Sequence, residues 1–152
     1  MNVKEEREMK KIICLVVVVL MIAAVAYAAK KVVIKPQDLA GLKGTWTGML
    51  SFGQFEGGGT SPVTLEILND AVPIKGRLTI ENVPSPVANA FATSTGKHVG
   101  EAENGVISSQ GTIVWTGQAG NVFEVTLTDA KKLEAWYFFR GMKGEATLTK
   151  KK

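Results

Sequence analysis

Between Ile74 and Val83 the sequence alternates with a period of two. Ile74, Gly76, Leu78 and Ile80 fall on one face, and Lys75, Arg77, Thr79 and Glu81 on the other. A helix would mix these sets within a turn. An antiparallel strand with one face in a core and the other in water keeps them apart. Similar runs recur along the chain at a spacing of about 10–12 residues. Thr45–Phe52 sets Trp46, Gly48, Leu50 and Phe52 on one face. Val63–Leu68 does the same with Val63, Leu65 and Ile67, Thr112–Thr116 with Ile113 and Trp115, and Val122–Thr128 with Phe123, Val125 and Leu127. Sixteen glycines lie mostly between these runs, where they mark turns, bulges and tight corners.

The connections sharpen the reading. Gly53–Ser61 is a glycine-rich loop, Asn69–Pro73 has turn chemistry, and Pro84–Lys97 is a long loop with room for one helical turn. His98–Glu103 reads as a strand and Val106–Ser109 as its return. Asn104-Gly105 between them is the dipeptide best suited to a type I′ hairpin. Gly117–Asn121 and Asp129–Lys132 are turns, and Leu133–Phe139 and Glu145–Thr149 complete the series. Such short connections favour antiparallel neighbours. The expected fold is all-β, an antiparallel up-and-down barrel of 8–9 strands across residues 44–152. Closure would also remove exposed sheet edges.

The N-terminal residues read as an address. Lys10 and Lys11 precede fourteen uninterrupted apolar residues, Ile12–Val25, and Ala26-Tyr27-Ala28 follows. A basic start, an apolar run and an A-x-A site form the pattern of a secretory signal peptide. The run is short of the roughly 20 residues that a membrane span needs, so cleavage after Ala28 is expected, and an uncleaved anchor is the competing reading. Met9-Lys10-Lys11 would itself make an ordinary signal start. The organisation expected is a signal peptide at 1–28, a lead-in at 29–43 with a short helical turn near Asp38–Leu42, and the barrel at 44–152. The chain would be secreted or periplasmic, with no stable membrane span after cleavage. Cys14 is the one cysteine and lies inside the apolar run, so the mature fold would rely on its core without a disulfide.

Gly44-Thr45-Trp46 opens the first barrel strand after that helical turn. This G-x-W placement resembles the bacterial lipocalin-like, calycin-type barrels. The resemblance implies that Trp46 packs across the closed end beside a basic residue from late in the chain, for which Arg140 is the candidate by role. It also implies a cup for an apolar or amphipathic ligand. A central T-D-Y-type motif, the common lipocalin disulfide and the C-terminal helix are lacking, so the likeness is to a minimal barrel.

Residue chemistry points away from catalysis. A formal charge of +4, from eighteen basic against fourteen acidic residues, does not call for nucleic acid. His98 is the only histidine; in its strand-entrance setting it reads as an edge residue, and no G-x-S-x-G elbow supports a triad. Glu101 and Glu103 share a strand face, which reads as solvated before it reads as a cation site. Gly57-Gly58-Gly59 lacks the Lys-Ser/Thr pair of a phosphate loop. No enzyme activity, cofactor or metal is therefore expected.

The apolar faces carry the binding hypothesis. Trp46, Leu50, Leu65, Leu78, Ile80, Trp115, Phe123, Val125, Leu127 and Tyr137 would either fill a solid core or line a cavity. In Leu133–Phe139, either Leu133, Ala135, Tyr137 and Phe139 face inward with Trp136 and Phe138 outside, or the strand is inverted. Outward aromatics would need cover from a homodimer, a partner protein or the Pro84–Lys97 loop. The expected function is non-catalytic binding of a small apolar or amphipathic ligand inside the barrel. The alternative is an envelope protein-interaction module, an inhibitor or assembly factor, on a solid core.

Overall fold

The computed structural model describes residues 29–53, 59–83, 96–118, 120–139 and 142–152, with only the backbone of Phe139 and Met142. The signal-peptide reading of 1–28 lies outside the described residues. So do Arg140 and most of both long loops.

The compact unit Lys31–Lys152 is a closed antiparallel barrel. A two-residue strand β1 (Lys31–Val32) leads through a 3₁₀ turn (Pro36–Asp38) into helix α1 (Leu39–Leu42). The barrel strands follow: β2 (Gly44–Ser51), β3 (Thr60–Ile67), β4 (Ile74–Ile80), β5 (His98–Ile107), β6 (Ile113–Thr116), β7 (Val122–Thr128), β8 (Leu133–Phe139) and β9 (Met142–Lys150). Each pairs with its sequence neighbour, and β9 returns to β2 to close the ring, with Trp46 opposite Lys150 and Leu50 opposite Ala146. β6 is only four residues long and covers β7 from Val122 to Val125. β1 takes up the row beyond it, pairing Lys31 with Thr128 and Val32 with Leu127.

The alternation places the core where the sequence indicates. Trp46, Leu50 and Phe52 of β2, Val63, Leu65 and Ile67 of β3, and Ile74, Leu78 and Ile80 of β4 are all buried. In β8, Leu133, Ala135 and Tyr137 are buried while Phe138 is 37 % exposed. This decides the orientation of that strand: Trp136 and Phe138 face outward. On the opposite wall, Glu101 meets Arg77 at 2.8 Å and Glu103 meets Lys75 at 3.3 Å. That face is a solvated ion-pair row.

One hairpin is corrected. Asn104-Gly105 is no turn but lies inside β5, which runs unbroken from His98 to Ile107. The register shifts there, Ile74 facing Gly105 and Gly76 facing Ala102, so β5 carries an extra residue as a bulge. Asn104 donates from its side chain to the Thr116 carbonyl at 2.6 Å. Gly105 is required for space, since a Cβ would run into the Trp115 indole nitrogen and come within 2.6 Å of the Ile74 carbonyl oxygen. The turn falls instead at Ser108–Thr112, where the two hydroxyls sit 2.8 Å apart and Gly111 adopts φ +73°. The expected pair of short strands thus becomes one, giving an eight-stranded ring among the described residues.

Candidate functional site

The two ends of the barrel differ. At one end, α1 and the lead-in fold across the opening, burying Ile34, Leu39 and Leu42. Trp46 lies beneath them, 2 % exposed, and its indole N–H donates to the Leu42 carbonyl at 2.7 Å. Lys150 Nζ stands 5.8 Å from the Trp46 ring centroid and donates to the Gly41 carbonyl at 2.7 Å. A cation held over an indole is attracted by the ring's electron-rich face. Lys150 is thus a basic residue held beside Trp46, and Arg140, the candidate for that place, lies outside the described residues. The connections at this end are short, at residues 68–73, 108–112 and 129–132.

The long connections lie at the other end, the mouth. By strand direction β2, β4, β6 and β8 end at the mouth and β3, β5, β7 and β9 begin there; residues 54–58 and 84–95 of these connections lie outside the described residues.

Below this mouth is a cavity of about 50 Å³. Its apolar wall includes Leu65, Leu78, Trp115 and Phe123, and its polar lining residues are His98, Glu101, Asn121 and Tyr137. Trp115 and Phe123 stand in register on β6 and β7, with ring centroids 6.1 Å apart and tilted by 35°. The Asn121 side chain hydrogen-bonds the Tyr137 hydroxyl. Burial pushes the Tyr137 hydroxyl above the ordinary tyrosine pKa, and the Asn121 bond partly offsets this. Asn121 lies flat against Gly117, where any Cβ would overlap its side-chain amide.

The small volume has a local cause. The Trp115 indole lies across β4 and β5, on Gly76 and Gly105. A Cβ at Gly76 would come within 3.0 Å of the ring, and one at Gly105 would strike it. The indole N–H donates to the Ile74 carbonyl at 2.9 Å, which holds the ring in place. Two glycines on one wall thus admit one tryptophan from the other, and the tryptophan fills most of the cup.

Of the ten residues expected to line a cavity, Leu65, Leu78, Trp115, Phe123 and Tyr137 come together here. Trp46 and Leu127 are at the closed end instead, in a surface groove with Gln37, Leu42 and Lys150. Leu50, Ile80 and Val125 are buried in solid core. Leu50 and Phe52 occupy the room left by Gly144, whose Cβ would lie 3.1 Å from Leu50. Sequence reasoning missed Asn121 and placed His98 only at a strand edge. His98 is in register with inward-facing Ile80, and that pairing was the available signal.

Among the described residues no group of three or more His, Cys, Asp or Glu side chains is gathered as a metal site. None of their helices is long and apolar enough to cross a membrane. No family model, curated protein or solved structure matches the chain. The eight-stranded antiparallel barrel is compatible with the lipocalin-like resemblance and with a binding protein.

Proposed function

We propose that this is an exported, non-catalytic binding protein that takes the narrow apolar end of a small amphipathic molecule into the barrel mouth. The carrying observation is the pocket itself: apolar walls from Leu65, Leu78, Trp115 and Phe123, with His98, Asn121 and Tyr137 converging on it. A mostly apolar hollow with a few placed polar groups is the usual form of a small-molecule site. Its volume of about 50 Å³ is far below the roughly 300–1,000 Å³ of pockets that enclose a drug-sized ligand. The ligand therefore inserts only a short tip, and its bulk stays outside the pocket. Binding is driven by removal of apolar surface from water, at about 25 cal/mol per Å², and the polar groups orient the head.

Native mass spectrometry of protein purified from the cells that make it tests this reading. Wild type should retain a small molecule that Leu78→Trp, which fills the pocket, cannot hold. A Leu78→Trp protein that folds by circular dichroism and still carries the same mass would overturn the proposal, as would a wild type that carries none.

The small cavity also favours the second reading, a protein-interaction module on a nearly solid core. It predicts a stoichiometric protein partner in a pull-down and no dependence on Leu78.

A further inference from the structure

The outer wall around Trp136 has a shape and charge pattern that the mouth does not use. Phe138 is 37 % exposed there, and Val33 and Met49 are each more than half exposed. Trp136 stands in register between Glu124 of β7 and Glu145 of β9. Lys31 Nζ lies 4.8 Å and Lys143 Nζ 5.9 Å from its ring centroid. On one side a groove of about 370 Å³ runs between Trp136 and Phe138 and the lead-in residues Val32 and Val33, floored by Thr112 and Thr126. On the other side a second hollow runs along Met49, Thr147 and Glu134, and Trp136 borders both.

We infer that this wall is where two copies of the chain pack about a two-fold axis. A ridge with a groove directly beside it is self-complementary: a half-turn lays each Trp136 into the other copy's groove, as an isologous contact requires. The charges agree. Lys31, Lys143 and Glu124 line the groove, Glu134 and Glu145 line the hollow beyond Trp136, and Lys143 is ion-paired with Glu145 within the chain, so the patch carries both signs. A second copy can match each sign with its opposite. An anionic membrane or nucleic acid would meet three carboxylates, and a strongly basic partner two ammonium groups. Aromatics bordered by mixed charge are also the usual make-up of an interface core and rim.

The size sets the strength. Four strands, β7, β8, β9 and β2, at ~4.8 Å spacing and about seven residues long give a flat footprint of roughly 440 Å² per copy. That is below the ~800 Å² per partner of a standard stable interface, so the dimer is weak and concentration-dependent.

Cross-linking of the full chain tests this. In a Cys14→Ser background, Phe138→Cys places a thiol on the wall, and Thr64→Cys places one on the outer face of β3. Mild oxidation in the producing cells should yield several-fold more disulfide-linked dimer from Phe138→Cys than from Thr64→Cys, and adding Trp136→Glu should bring it down to the control. Equal yields, or a Phe138→Cys adduct whose mass is not twice that of the chain, would overturn the inference. Sedimentation equilibrium on the purified protein gives an independent reading. The weight-average mass should climb towards that of two copies as concentration rises, and Trp136→Glu should stay monomeric. A wild type that remains monomeric throughout also refutes it.

Discussion

Replacing Trp115 with alanine removes the group that fills the cup. The side chain is 3 % exposed, so nearly all of its surface is lost from the core. A tryptophan buries about 150–250 Å², which at ~25 cal/mol per Å² is roughly 4–6 kcal/mol. An extended-chain reference overstates such burial by about 10–40 %, which brings the figure to about 2–5 kcal/mol, overlapping the ~3–5 kcal/mol range for Trp→Ala in cores. The Ile74 carbonyl also loses its indole donor, about 1 kcal/mol unless water replaces it. Urea unfolding followed by far-ultraviolet circular dichroism should therefore show a loss near 4 kcal/mol with an unchanged slope. Because Gly76 and Gly105 give the floor no side chains to collapse into the gap, the space should persist and accept free indole. Indole should then raise the variant's midpoint in proportion to the logarithm of its concentration and leave wild type unmoved. A loss under about 1 kcal/mol, or equal indole effects on both proteins, would refute the account of why the barrel is filled.

Gly105→Ala should destabilise by about 2 kcal/mol or more through overpacking, since its methyl would meet the Ile74 carbonyl oxygen at 2.6 Å. A neutral result in the same unfolding assay would contradict the assigned β5 register. Lys150→Met removes the cation over Trp46 and the donor to Gly41; about 1 kcal/mol should be lost, with a shift in tryptophan emission. Tyr137 supplies a pH test. Its folded pKa is raised by burial, so the associated stability is complete below the ordinary value near 10 and is lost as pH rises through the folded value. Tyr137→Phe should flatten the alkaline limb of stability against pH, and an unaltered limb would refute the burial.

The barrel was legible because side-chain alternation is a local property. Ile74–Ile80 shows its inner and outer faces within seven residues, and burial follows them. Asn104-Gly105 misled because the same dipeptide serves two ends: positive φ in a turn, or absence of a Cβ under an approaching ring. Only the neighbour, Trp115, distinguishes them, and it arrives from another strand. The cavity was half legible for a related reason. Leu50 and Leu65 both face inward, but their height in the barrel depends on register between strands, which periodicity does not encode. Lys150 was missed beside Trp46 because the basic partner was sought before the last strand, whereas the pairing of Trp46 with Lys150 fixes it within that strand.

The seam between β2 and β9 governs when this molecule can exist. Every other barrel pairing joins successive segments and can zip up as a meander, but residues 46–51 must wait for 145–150. Bridging that span carries the largest loop-closure entropy among the described barrel pairings. Until β9 pairs, β2 and β8 stand as open edges able to recruit foreign strands. Deleting β9 should thus yield an open seven-stranded sheet with sticky edges, and a covalent link between β2 and β9 should speed assembly.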